Sequence, residues 1–479
     1  MRNFDLKGKN KYYTLYKNIR EEILSGRIKA GERLPSKRAL AQDTGVSVIT
    51  VQLAYEQLLA EGYITSRERS GYFAEDVNST EQGAGGQAVK RRYPWHIEGA
   101  IPRNRSSEPR YTADFVKGYA PAELFPFATW AKLMRTVLAD CGEHLLERVP
   151  CCGDMQLRRA VAEYLYRARG ISANPEHIII GAGAEHLYGV LVQLLGRGTT
   201  FAVENPCYNK IYSTYRLYGA GVAPVNVIDT GICLDEVQKL AVSAVHVSPS
   251  HQFPTGAVTP AAARARLISW ADKTGGYIIE DDYDSEFRLE GKPLQSLTAL
   301  CPGRAVYMNT FSKSLAPSMR LGYMVLPTVL YKKYLEIFGH SANIVPLFEQ
   351  KALALMLDGG YFERHVARLK NYYRAIRKSV LGVLEEVGAD YIVNDNGGGS
   401  HFTVKFPSAQ SDNEIKRKAE NLGINVKCLS DYLIGVEAEQ SGGGQSGANI
   451  LARYEKTAVV NYSGATAEQL SAVAEKLKK

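Results

Sequence analysis

At 479 residues, 45% hydrophobic and 23% charged, the chain is too long for one core and has the composition of a globular protein with several domains. No run approaches the ~20 uninterrupted apolar residues of a membrane span, and the charged N-terminus lacks a signal-peptide core, so a cytoplasmic location is expected. The net charge of +8 is uneven: residues 1–76 hold 13 Lys/Arg against 10 Asp/Glu, and residues 77–112 hold 6 against 3. A modestly basic head is compatible with a nucleic-acid partner without establishing one. The seven cysteines are scattered and lack paired ligand spacing, so free thiols and no metal site are expected.

In chain order, "KYYTLYKNIREEILSGR" (residues 11–27) sets Leu15, Ile19, Ile23 and Leu24 on one helical face. "SGRIKAGERLPS" breaks that helix. "SKRALAQDTGVS" predicts a short helix with Ser36 as N-cap and Gly45 at its end. "SVITVQLAYEQLLAEG" predicts a second one capped by Ser47, with Val51, Ala54 and Leu58 facing inward, and "YITSRERSGYFAED" predicts a small hairpin turning at Ser70-Gly71. Helix, helix, tight turn, helix and hairpin make a winged helix-turn-helix over residues 1–76, whose last helix would enter a major groove. In that plan Ser36, Lys37 and Arg38 lie near phosphates. Ser47, Thr50 and Gln52 lie on the early, outward part of the recognition helix, while Arg67, Arg69 and Gly71 form the wing.

Residues 77–111 lose periodicity, are rich in Gly, Ser, Asn, Arg and Pro, and read as a flexible basic linker. From residue 112 the runs "HIIIGAG", "TTFAVEN", "AVHVSPS", "YIIEDDYD", "AVYMNTF" and "GYMVLP" alternate with amphipathic stretches, which predicts an α/β domain with a mostly parallel sheet. Roughly 350–479 reads as a smaller α+β part, within which "EAEQSGGGQSGANI" is low-complexity and expected as a mobile surface loop.

Three signals fall at predicted strand ends, where open α/β sheets bind ligands. "IIIGAGAEHL" offers the backbone of Gly183, Ala184 and Glu185 to a phosphate at a helix N-terminus. "YIIEDDYDSEF" ends a strand in clustered acids and Tyr283. "TFSKSLAPSMRLGY" supplies Lys313, with Ser312 and Arg320 as anion partners. Each alone has an ordinary explanation in glycine packing or solvated charge. Together they fit pyridoxal 5'-phosphate, which needs a lysine amine, a carboxylate for its pyridine nitrogen, a donor near its hydroxyl and an anion cup.

The ordered set "GAGAEHL", "ENPCY", "SPSHQFPTG", "EDDYDSEF", "TFSKSLAPSMRLGY" resembles the fold-type I aminotransferases. With "LPSKRALAQDTGVS" and "AYEQLLAEGYITSRERSGYF" in front, nearly the whole chain resembles the MocR/GabR-type regulators, which join a GntR-type winged helix to that fold. The resemblance implies that Lys313 holds the cofactor as an aldimine, that Asp281 (or its neighbour Asp282) faces the pyridine nitrogen, and that Tyr283 approaches the ring hydroxyl. It further implies that Tyr208 stacks on the ring, that Arg320, Ser312 and the 183–185 backbone hold the phosphate, and that Gln252 and Pro254 line the cofactor's turn. Three departures bear on ligands. Phe253 stands where aminotransferases place asparagine before the proline. Lys210 stands where GABA-sensing relatives offer an arginine, and Gly464 stands where a carboxylate-gripping arginine is sought. Lysine is no bidentate clamp and glycine has no side chain. A pocket opened by Gly464, with Lys210, Tyr208 and Arg453 as effector contacts, then suggests a bulkier amine such as D-alanyl-D-alanine. In the head, Val48 stands where GntR patterns commonly carry arginine.

The resemblance thus implies a homodimeric, PLP-dependent regulator that binds operator DNA and senses an amine-bearing effector by exchange at Lys313. Two alternatives remain: an active aminotransferase with an accessory head, and a DNA-binding protein using the fold only to dimerise.

Overall fold

The computed structural model describes residues 11–67, 70–77, 111–291, 294–386, 388, 390–435 and 452–477. Residues 78–110 of the linker expected at 77–111, the low-complexity loop expected at 437–450, and Arg69 lie outside them. The chain divides into two units, residues 1–106 and 107–479.

The first unit carries α1 (Lys11–Leu24), α2 (Lys37–Thr44), α3 (Val48–Ala60) and an antiparallel hairpin of β1 (Ile64–Arg67) and β2 (Gly71–Ala74). Local chemistry sets its boundaries. Ser36 Oγ accepts from the Ala39 N–H at 3.2 Å and Ser47 Oγ from the Thr50 N–H at 3.1 Å. Gly45 ends α2 in the left-handed region, with φ +68°. Leu15, Tyr16, Ile19 and Ile23 of α1 pack on Leu40, Val51, Ala54, Tyr55, Leu58 and Ile64. At ~1.5–3 kcal/mol for each fully buried large apolar side chain, this is the main force holding the small unit together. Leu24 departs from the expected face and is 41% exposed.

The second unit is built on an eight-stranded sheet. Its strands are β4 (Ile178–Gly181), β5 (Thr200–Asn205), β6 (Gly221–Ile228), β7 (Gly231–Ile232), β8 (Ala244–Val247), β9 (Tyr277–Asp281), β10 (Ala305–Thr310) and β11 (Gly322–Val325), in the order β4-β11-β10-β9-β8-β5-β6-β7. The neighbours β10/β9, β9/β8, β8/β5 and β5/β6 are parallel. β11 runs antiparallel to both β10 and β4, so β4 points the same way as the parallel set; β7 is antiparallel at the other edge. Neighbouring residues alternate between two apolar layers. Ile178, Ile180, Tyr307 and Tyr323 face a cluster with helices 155–169 and 347–358, while Ile179, Val306, Met308 and Met324 face one containing Leu187 and Leu191. Both faces are therefore covered, which explains the near-continuous apolar runs in the sequence.

The smaller lobe carries the antiparallel sheet β12 (Ile392–Asn394), β13 (His401–Lys405), β16 (Thr457–Asn461) and β15 (Lys427–Cys428). β14 (Ile424–Asn425) pairs instead with β3 (Ala113–Asp114), at the start of the unit. Two segments fall differently from the expected cut near 350. Helix Leu347–Asp358 packs into the large-lobe core, and Ala113 and Phe115 join the small-lobe core beside Phe287, Leu369 and Phe402.

Candidate functional site

The parallel strands end on one side of the sheet, at Gly181, Asn205, Val247, Asp281 and Thr310, and the predicted site residues follow those ends. Lys313 is half-buried just after β10, its Nζ 5.9 Å from the Tyr283 ring centroid. Desolvation pulls its ammonium down to about 8, partly offset by the Asp284 carboxylate. An amine so placed is far readier to act as a nucleophile than a solvated lysine.

The acids of "EDDYD" are separated by strand alternation. Asp281 lies on the side of helix 184–195, where Oδ2 accepts from Tyr188 Oη at 2.6 Å and lies 3.4 Å from His246 Nε2. His246 is in turn 2.8 Å from Tyr215 Oη. Asp282 is on the opposite face, where Arg169 Nε at 2.7 Å and Tyr307 Oη at 2.7 Å occupy it. Glu280 accepts from the Leu297 and Thr298 N–H groups at 2.9 and 2.8 Å, and Asp284 is 3.0 Å from His251 Nδ1. Asp282 is thus paired with a buried arginine, whereas Asp281 meets a tyrosine and a histidine; in both acids the contacts fall on Oδ2.

At the anion cup, helix 184–195 starts after Gly183, whose φ of +80° favours glycine. The Gly183 N–H is spent on the Gly181 carbonyl at 2.9 Å, so of the three predicted backbone donors the first-turn N–H groups of Ala184 and Glu185 are the candidates for an anion. A Cβ on Gly183 would come within 3.4–3.5 Å of the Arg320 guanidinium. Arg320 is held at φ +50°, ψ +39°, a left-handed conformation that costs a non-glycine residue ~1–2 kcal/mol. Its Nη2 lies 3.7 Å from Glu185 Oε2. Ser312 is half-buried next to Lys313.

Lys210 Nζ is 2.7 Å from Glu185 Oε1, at the start of helix 184–195. Tyr208 is 47% exposed and meets Phe253 edge-on at 6.2 Å. Gln252 is fully buried in its own turn: Nε2 donates to the Pro206 and Phe253 carbonyls at 2.9 and 2.7 Å, and Oε1 accepts from Thr255. Arg453 stacks on Tyr454 at 5.6 Å and lies 3.9 Å from Asp229 Oδ1, past the end of β6. Gly464 does not open the pocket. A Cβ there would meet Lys117 Cβ at 3.0 Å and the Lys117 and Tyr119 carbonyls at 3.1 and 3.3 Å, so this glycine permits close backbone packing.

Sequence reasoning missed Gly118 and Asn461. A Cβ at Gly118 would lie 2.5 Å from Lys313 Nζ and 2.9 Å from Asn461 Nδ2, so the bare backbone forms the wall of the lysine's site. It also missed a buried group of His251, Asp284 and His401, with imidazole centroids 4.3 Å apart. Burial, His251 and Lys313 all hold His401 uncharged, well below the usual histidine range. Only His251 and Asp284 carried a signal, lying within the motifs "SPSHQFPTG" and "EDDYDSEF".

In the head, the structure brings Ser47 Oγ within 2.9 Å of Thr50 Oγ1, and Gln52 Nε2 donates to Glu56 Oε1 at 2.8 Å. Ser36 serves as a cap. Arg38 is exposed, Lys37 stacks over Tyr72 at 5.8 Å, Arg67 stacks over Phe73 at 4.5 Å, and Gly71 turns the hairpin at φ +107°. The exposed apolar side chains of α3 are Val48 (43%), Ile49 (70%) and Leu53 (45%), of which the sequence reading singled out only Val48.

A winged helix-turn-helix unit is thus followed by a second unit built on a mostly parallel eight-stranded sheet. The comparisons agree. Residues 11–73 match the bacterial regulatory proteins of the gntR family. The chain is 35% identical over 422 residues to the HTH-type transcriptional regulator YdeL of Bacillus subtilis strain 168, spanning 88% of this chain and 89% of that one. It is 32% identical to the probable rhizopine catabolism regulatory protein MocR of Rhizobium meliloti, spanning 87% and 86%. Among solved structures, the multiple substrate aminotransferase of Thermococcus profundus superposes with a TM-score of 0.65 at 21% identity, over 78% of this chain and 91% of that one. That likeness establishes the fold. The chain belongs to the MocR-type branch of the GntR-family HTH-type transcriptional regulators.

Proposed function

We propose that this regulator holds pyridoxal 5'-phosphate at Lys313 and uses it to sense an amine-bearing effector, an amino acid or small peptide, so that effector binding changes its hold on operator DNA. The observation that carries this reading is the desolvated Lys313 amine beside Tyr283, within one chain that also has a winged-helix head. The residues present fit the cofactor. Asp281 is free of the ion pair that consumes Asp282, so it is the acid for the pyridine nitrogen. Arg320, Lys210 and the Ala184 and Glu185 N–H groups suit the phosphate, and Gly118 leaves room at the amine. Bound there, the cofactor supplies an aldehyde carbon for which Lys313 and an incoming amine compete.

The chain's own residues support sensing over turnover. Phe253 replaces the usual asparagine, and with Gly464 sealed by backbone no arginine is found at the expected carboxylate clamp. Effector selection then rests on the rings around Phe253, which meets Tyr208, Tyr283, His401 and Tyr432 edge-on at 5.0–6.4 Å. D-alanyl-D-alanine stays in the panel to be screened, although Gly464 no longer argues for it. Exposed Phe127, Leu138 and Leu146 on and beside helix 127–141 support a homodimer.

Purified protein loaded with the cofactor, titrated with amino acids and short peptides, tests the reading. A lasting change in the visible absorption band without keto-acid release is expected, with the band lost in Lys313→Ala. Sustained production of keto acid would establish a working aminotransferase instead.

A further inference from the structure

The surface α3 presents is chemically unusual for a helix expected to read DNA. Winged helix-turn-helix proteins touch base edges with the N-terminal residues of the second helix of the pair. Here the polar residues in that position are already engaged. The Ser47 hydroxyl caps the Thr50 N–H and bonds the Thr50 hydroxyl, and the Gln52 amide is held by Glu56. The outward residues left over are apolar, Val48, Ile49 and Leu53, with Ile49 70% exposed, beside the exposed Gln52–Glu56 pair. Ile49 and Leu53 lie opposite the buried Val51, Ala54, Tyr55 and Leu58, so they are not a frayed edge of the core, while Val48 sits beside that buried face. The elements on either side supply cations: Arg38 is exposed on α2 and Arg67 on the hairpin. Exposed apolar side chains on the helix, with exposed cations on the elements before and after it in the chain, suit a major groove, in which phosphates border the base edges.

Within the groove, only one base offers an apolar group. Thymine projects its C5-methyl there, while the other base edges present donors and acceptors that an isoleucine cannot satisfy. We infer that α3 reads thymine methyl groups through Ile49, with Val48 and Leu53 beside it, so that the operator half-site carries thymines at the positions facing this helix start. The inference rests on the proposed DNA-binding function and adds what the head selects. Because Ile49 lies on the surface, its replacement leaves the fold of the head intact.

Selection from a random duplex library by the full-length, cofactor-loaded protein supplies the probe. The selected duplex is then resynthesised with deoxyuridine for each thymidine in turn, which removes the C5-methyl and nothing else. Affinity is expected to fall about 4-fold for each methyl that was buried, at ~0.8 kcal/mol per group, at one or two positions per half-site. Ile49→Ser is expected to lose that sensitivity while keeping the salt-dependent binding carried by the flanking cations. Equal binding of the thymidine and deoxyuridine duplexes would overturn the inference and leave DNA binding standing. So would an Ile49→Ser protein that binds unchanged but dissociates from a dimer, since the face would then pair two copies. If no duplex is enriched, both the inference and the DNA-binding reading fail.

Discussion

Lys313 is set by its surroundings more than by its neighbours in sequence. Half of an amine with a pKa of about 8 is uncharged at that pH, against ~10.4 for an exposed lysine. Only the uncharged form attacks an aldehyde. Cofactor capture by cofactor-free protein should therefore speed up about tenfold per pH unit below that midpoint and level off above it. Stopped-flow absorbance over a pH series measures this. Burial lowers the midpoint and Asp284 raises it, so Asp284→Asn is expected to shift it further down; an upward shift would mean that Asp284 acts only through His251. Gly118 makes a companion case. Its substitution by alanine sets a methyl against the flexible tips of Lys313 and Asn461, so the side chains give way and the fold survives. The displaced amine should then capture cofactor roughly 10- to 100-fold more slowly, with the thermal unfolding midpoint little changed. Gly118 was invisible in the sequence because its partners, Lys313 and Asn461, are brought to it only by the tertiary fold. Gly464 was misread for the same reason: a missing side chain looks like open space until the backbone that fills it is known.

Elements were legible where local chemistry defines them. The head's helices could be placed from serine caps and the 3.6-residue period, both of which act within a turn. The six strand runs were legible because a sheet covered on both faces needs continuous apolar stretches. Strand direction was not: "GYMVLP" looks like its parallel neighbours, and its antiparallel pairing with β4 and β10 is a long-range outcome. The β6–β7 edge was missed as well, since "GVAPVNVI" carries Pro224 and only some of its residues are buried. The local reading of α3 gives a direct test. Ser47→Ala removes the acceptor for the Thr50 N–H, and losing such a cap costs ~0.5–2 kcal/mol. Hydrogen exchange on the full chain should show faster exchange in 48–60, while helix 184–195, capped without a side chain, is unchanged. Equal protection in α3 would mean that packing of Val51, Tyr55 and Leu58 alone holds the helix start.

At the scale of the whole molecule, the proposed sensing requires coupling between the two parts. If an effector at Lys313 changes the affinity for operator by some factor, operator must change the affinity for effector by the same factor, because both legs close one thermodynamic cycle. Couplings of this sort are typically ~1–3 kcal/mol, or about 5- to 150-fold. A ligand that binds both conformations equally shifts nothing, however tightly it binds. The prediction is a pair of titrations on cofactor-loaded, full-length protein: operator affinity with and without saturating effector, and effector affinity from the visible band with and without saturating operator. The two ratios should agree within error and differ from one. Lys313→Ala should bring the first ratio to one while preserving DNA binding, since the head folds on its own core. Should both ratios equal one in the unaltered protein, the aminotransferase-like unit does not report its ligand to the head. The fold would then serve dimerisation or catalysis, and the pocket geometry around Lys313 would have to be explained by that work.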